Sequence, residues 1–156
     1  MVPSSTKRTG FWPTVLSVGL LAGALDISCA LVSYSIKTHK DPVRVFYFIA
    51  SALFGKEAYD GGITMIIIGA LMHFLIAAAF TIFFFLIYPR LSFLSRSVLL
   101  TAILYGVFVW AIMNLVMLPL LHTATPVKTQ DILLGMAILI VAIGLPLSYF
   151  AKKFYK

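Results

Sequence analysis

Four apolar runs dominate the chain, over about residues 13–36, 63–87, 98–121 and 132–150. A hydrocarbon core takes about 20 mostly apolar residues to cross at a helical rise of about 1.5 Å each, and the runs reach that scale. Lipid offers no partner to an unpaired backbone group, so each run is expected to be a helix. Between the first two runs the pattern changes. Asp41 suits an N-cap, Pro42 a first helical position and Gly55 a left-handed stop. The segment 42–54 therefore predicts a helix of about 13 residues, roughly 20 Å long and too short to span. It is apolar nearly all round, so it is expected to lie in the membrane interface or to dip in as a re-entrant segment. The predicted fold is an all-α membrane protein. It is an antiparallel four-transmembrane-helix bundle over residues 1–156, with an interfacial or re-entrant helix between spans 1 and 2.

Composition sharpens this reading. Of 156 residues, 62% are apolar and only 11% charged, far from the balance of a water-soluble globule. A single cysteine, Cys29, excludes an internal disulfide framework. The first run exceeds the core of a cleaved signal. The sequence Leu25-Asp26-Ile27-Ser28-Cys29 looks superficially like a lipoprotein cleavage box, but its internal Asp and the long preceding run favour a retained span.

The net charge of +7 does not point to nucleic acid, because the basic residues flank the apolar runs and form no basic face with exposed aromatics. Their expected partner is the lipid bilayer. Phe11, Trp12, Tyr34, Tyr88, Tyr149, Phe154 and Tyr155 fall near predicted ends, as an aromatic belt would. The termini and second connection carry seven Lys and Arg (Lys7, Arg8, Arg90, Arg96, Lys152, Lys153 and Lys156). The other side carries five (Lys37, Lys40, Arg44, Lys56 and Lys128). The positive-inside tendency thus favours cytoplasmic termini.

Candidate chemistry lies inside the spans, where an ionisable residue is costly and marks a functional hypothesis. Asp26 sits near the centre of the first run. Gly19, Gly23, Asp26, Ala30 and Ser33 recur at helical spacing and share a face. Gly19 and Gly23 form a G-x-x-x-G pair that admits a neighbouring backbone. In the second run Gly69, His73, Ala77 and Thr81 form another small-residue stripe, and His73 falls at nearly the depth of Asp26. In the third run Gly106, Trp110 and Asn114 share a face. Pro119 and Pro146 are expected to free the carbonyls of Leu115 and Ala142 from their helical bonds. Asp26, His73 and Asn114 are the candidate proton or solute site; Gly19, Gly23, Gly69 and Gly106 are the candidate packing positions. The same polar residues also suit plain cross-helix hydrogen bonding, and both readings stand at this point.

Enzyme motifs are missing: there is no H-E-x-x-H, phosphate loop, G-x-S-x-G or dinucleotide fingerprint. His39, His73 and His122 fall on separate elements, so no metal and no cofactor is expected. Cys29 reads as a small packing residue.

Several stretches carry a family likeness. Ile49-Ala50-Ser51-Ala52-Leu53-Phe54-Gly55 with Ala58-Tyr59 and Gly61-Gly62 is the first. Tyr105-Gly106 with Met113-Asn114 and Pro119-Leu120 is the second, and Gly23-Ala24-Leu25-Asp26 and His73-Phe74 complete the set. Together they resemble a group of small, uncharacterised four-span bacterial inner-membrane proteins. The resemblance implies four helices and a bacterial inner membrane, and it carries no catalytic residues over.

Three functions follow as expectations. The first is a small proton-linked carrier or conduit, homo-oligomeric because four helices rarely enclose a pathway alone. The second is a non-catalytic scaffold or assembly partner in a larger complex, docking through the first connection and the small-residue stripes. A membrane enzyme acting on a lipid or quinone comes third, disfavoured by the lack of a second acid in the spans.

Overall fold

A computed structural model describes residues 10–91, 93, 96–121 and 129–156. Among them the chain is helical and no strand occurs. We label the helices α1 (Phe11–Thr38), α2 (Arg44–Phe54), α3 (Gly62–Ile87), α4 (Val98–Leu120) and α5 (Thr129–Phe154). A 3-10 turn, Tyr88–Arg90, extends α3. Four of the five are long and apolar enough to cross a membrane, as the apolar runs predict. Lys7, Arg8, His122 and Lys128 lie outside the described residues.

The short helix α2 begins two residues later than the sequence suggests. The Asp41 carboxylate accepts from the Val43 amide at 2.9 Å, and three successive i→i+3 bonds lead the chain into Arg44. Asp41 thus caps a tight entry turn in place of the helix itself. Gly55 ends α2 with φ of 60°, a backbone angle that a side chain disfavours.

Two glycine-lined seams and a third close approach hold the helices together. On the α1–α3 seam Gly19 faces Thr81, and Gly23 faces Phe74 and Ala77. On the α4–α5 seam a methyl at Gly106 would stand 2.6 Å from Ile140 Cα, and Gly144 lies under the Ala102 carbonyl. Gly69 meets the Phe46 carbonyl, which seats α2 on α3. Side chains are absent where backbones touch, so dispersion contacts form over the helix surfaces with no water to expel.

The proline effect takes an unexpected form. Ile112–Met117 of α4 and Ile140–Gly144 of α5 are π-helical. The residue before each proline bonds five back, Leu118 to Met113 and Leu145 to Ile140. Both turns therefore depart from the α register just ahead of their prolines. The wider turn eases the clash between a proline ring and the preceding carbonyls.

The best-packed region gathers at one end. Val15, Val18, Phe84, Phe85, Tyr105, Val109 and Leu147 are buried together there. The same end is closed by aromatic contacts from three helices: Phe11 lies 6.3 Å from Phe85 and 6.2 Å from Phe154. Tyr155 stacks on Tyr88 at 5.7 Å and donates its hydroxyl to the Phe85 carbonyl at 2.7 Å. At the other end Lys37 of α1 pairs with Asp131 of α5.

Gly106→Ala is expected to push α4 off α5 and cost about 1–3 kcal/mol. Gly19→Ala, whose methyl would meet the Thr81 hydroxyl at 3.2 Å, costs less. Thermal unfolding of the two variants in detergent checks the order. The Tyr155 clasp has its own signature. Burial raises its phenol above the ordinary 10.0, with Arg90 pulling the other way. A raised folded value means the contribution is whole below the ordinary pKa and disappears as pH climbs through the raised one. Near-ultraviolet circular dichroism should thus hold steady from neutral pH up to that range and change above it, a change that Tyr155→Phe diminishes.

Candidate functional site

The candidate site lies on the α1–α3 seam, and the absent side chain of Gly23 builds it. An added methyl there would stand 3.1 Å from both Phe74 and Ala77, so the two helices approach closely at this level. Across the gap His73 donates from Nε2 to the Gly23 carbonyl at 2.9 Å. A carbonyl only accepts, so this bond places a hydrogen on Nε2. The carbonyl has two lone pairs and can serve both its own helix and the imidazole.

Asp26 follows Gly23 by three residues and so lies on the same side of α1. Its carboxylate is half-buried and interacts electrostatically with His73. Among the described residues no direct hydrogen bond joins the two side chains, and the ion pair found there is Lys37 with Asp131. Asp26 is thus a carboxylate inside an apolar span with an imidazole, and no Lys or Arg, as its charge partner. Such a pair suits reversible proton binding.

Asn114 is placed differently. Its amide donates to the Trp110 carbonyl at 3.0 Å, one turn back in its own helix. Gly106 and Trp110 of the same helix face α5: Gly106 meets Ile140, and a methyl at Gly135 would stand 3.2 Å from the Trp110 indole nitrogen. Asp26 and His73 therefore lie within electrostatic reach of each other, while Asn114 bonds back into its own helix. Gly19, Gly23, Gly69 and Gly106 all meet helices of the same chain. Among the described residues no three His, Cys, Asp or Glu side chains gather as a metal-holding group.

Two features escape a reading of the sequence. α3 and α4 are joined by Tyr105, whose hydroxyl donates to the Phe80 carbonyl at 2.6 Å. Beside it an apolar groove of about 360 Å³ opens between Ile76, Phe80 and Phe83 of α3 and Phe108, Met113 and Met117 of α4. The second feature is the Lys37–Asp131 pair, which spans 94 positions of sequence. Pro119 marks the π turn that carries Met113 and Met117; no local signal marks the ion pair.

No family model, curated protein or solved structure matches this chain. The functional reading rests on the site's own chemistry.

His73→Phe removes the cross-helix bond and leaves the Gly23 carbonyl its helical partner, so the expected loss is about 0.6 kcal/mol. Asp26→Asn preserves shape and removes a carboxylate that no Lys or Arg neutralises; it should not lower the unfolding temperature. Parallel melts in detergent measure both.

Proposed function

We propose that this chain is a bacterial inner-membrane protein acting as a small proton-linked carrier or conduit, with Asp26 as its titrating group and His73 as its proton partner. The carrying observation is that the His73 imidazole bonds the Gly23 carbonyl in the middle of a helix–helix seam and lies within electrostatic reach of Asp26. A purely structural acid has no need of an imidazole, and a purely structural His–carbonyl bond has no need of an acid beside it.

The architecture of the proposal is an antiparallel bundle. As numbering rises from Gly19 to Gly23, the facing residues fall from Thr81 to Ala77, which supports opposite directions for α1 and α3. The pairs Phe11–Phe154 and Lys37–Asp131 do the same for α1 and α5. Helix α2 is taken to lie at the interface, seated by Gly69 on α3. Cytoplasmic termini follow from the excess of Lys and Arg on that side. Four helices with a tightly packed core at one end leave little room for a complete pathway, so a homo-oligomer is part of the reading. The scaffold alternative loses the small-residue stripes as docking surfaces, since those glycines are occupied within the chain, and retains only the first connection.

Proteoliposomes holding a pH-sensitive dye test this. The unmodified chain should dissipate an imposed proton gradient, Asp26→Asn should reduce the flux to the lipid background, and His73→Phe should slow it by about 10²-fold, the low end of what a positioned proton-transfer group supplies. Equal flux from a folded Asp26→Asn protein would refute the carrier reading.

A further inference from the structure

The two ends of the molecule differ sharply in charge once the acids are placed. Arg90 closes α3, Arg96 precedes α4, and Lys152, Lys153 and Lys156 end the chain. The contacts among Phe11, Phe85, Tyr88, Phe154 and Tyr155 bring the start of α1, the end of α3 and the end of α5 to one face. Arg90 is held there, its guanidinium donating to the Leu86 carbonyl at 2.7 Å, and it lies within electrostatic reach of Tyr155. No acidic side chain accompanies these five cations among the described residues.

The opposite end is balanced. Lys37, Lys40, Arg44 and Lys56 stand there against Asp41, Glu57, Asp60 and Asp131. The five acids of the whole chain are these four and Asp26. A basic residue count alone shows a small bias between the ends; the net charge of the described residues shows five against zero.

The geometry points to a headgroup-binding face: the end formed by Arg90, Arg96, Lys152, Lys153 and Lys156 is an interaction surface for anionic phospholipid, and the α2 end is not. Charge complementarity selects this partner. Cations ringed around helix ends, with an aromatic layer directly beneath, stand where phosphate groups lie in a bilayer, and each is worth about a fivefold preference near an anionic surface. Trp12 and Tyr155, both exposed, supply the amphipathic layer between the acyl chains and the charges. The inference needs the membrane placement and is independent of proton chemistry at Asp26.

Tryptophan quenching by brominated lipid tests it on the full chain. The two tryptophans are Trp12 and Trp110. Trp12 is exposed beside Phe11, at 5.3 Å, on the basic face, so Trp110→Phe leaves a reporter at the proposed surface. In mixed vesicles, brominated phosphatidylglycerol should quench Trp12 more strongly than brominated phosphatidylcholine, and high salt should erase the difference. Arg90→Gln with Lys152→Gln and Lys153→Gln should weaken the preference by at least about tenfold. Lys37→Gln with Lys40→Gln and Lys56→Gln at the other end should leave it intact. Absence of a preference in the Trp110→Phe chain, its survival in high salt, its survival in the first triple variant, or its equal loss in the second would each overturn the proposal. Because the salt titration keeps every basic side chain native, its outcome stands even if a triple variant fails to fold.

Discussion

Close approach of backbones at glycine organises this molecule. In a bilayer, helices gain nothing by hiding apolar surface from one another, since lipid tails are equally apolar. What remains is dispersion at short range and hydrogen bonding across the gap. Gly19 and Gly23 supply the first by letting α3 come close to α1. The second follows only because of the first: at an ordinary helix separation the His73 ring would not reach the Gly23 carbonyl. Asp26 comes within electrostatic reach of the imidazole for the same reason. The candidate site is a consequence of how two helices pack.

The same economy recurs at the other seam with a different result. Gly106 and Gly144 bring α4 and α5 together, and both helices widen into π turns ahead of a proline. The Ile140–Gly144 turn packs directly on α4 through Ile140 and Gly144. A π turn rotates everything beyond it relative to an α-helix, so it bears on where downstream side chains face. Asn114, inside the α4 turn, spends its amide on Trp110. Polar residues inside the spans thus serve different ends: His73 bonds across a seam, and Asn114 satisfies its own helix.

Energetically the two ends are built in different ways. One is a dense aromatic cluster with Tyr155 pinned to Phe85 and a surrounding set of unopposed cations. The other relies on α2 seated at Gly69 and an ion pair between half-exposed partners, the kind of contact that contributes about 1 kcal/mol or less. Charge and packing therefore divide the molecule along the same axis.

Local sequence alone determined the four long helices, because apolar length and the lack of backbone partners in lipid leave no other conformation. It also determined that Asp26 and Gly23 share a face, since that depends on helical period alone, and that Asp41 and Gly55 bracket the short helix. The tertiary structure decided which faces meet. Gly106 and Trp110 share a helical face just as His73 and Ala77 do, yet one pair looks at α5 and the other at α1. Periodicity places a residue on a helix surface and says nothing of the neighbour opposite it. Pairing of Lys37 with Asp131, the Tyr155 clasp and the groove between α3 and α4 belong to the same class, each arising between residues far apart in the chain that helix packing alone brings within reach.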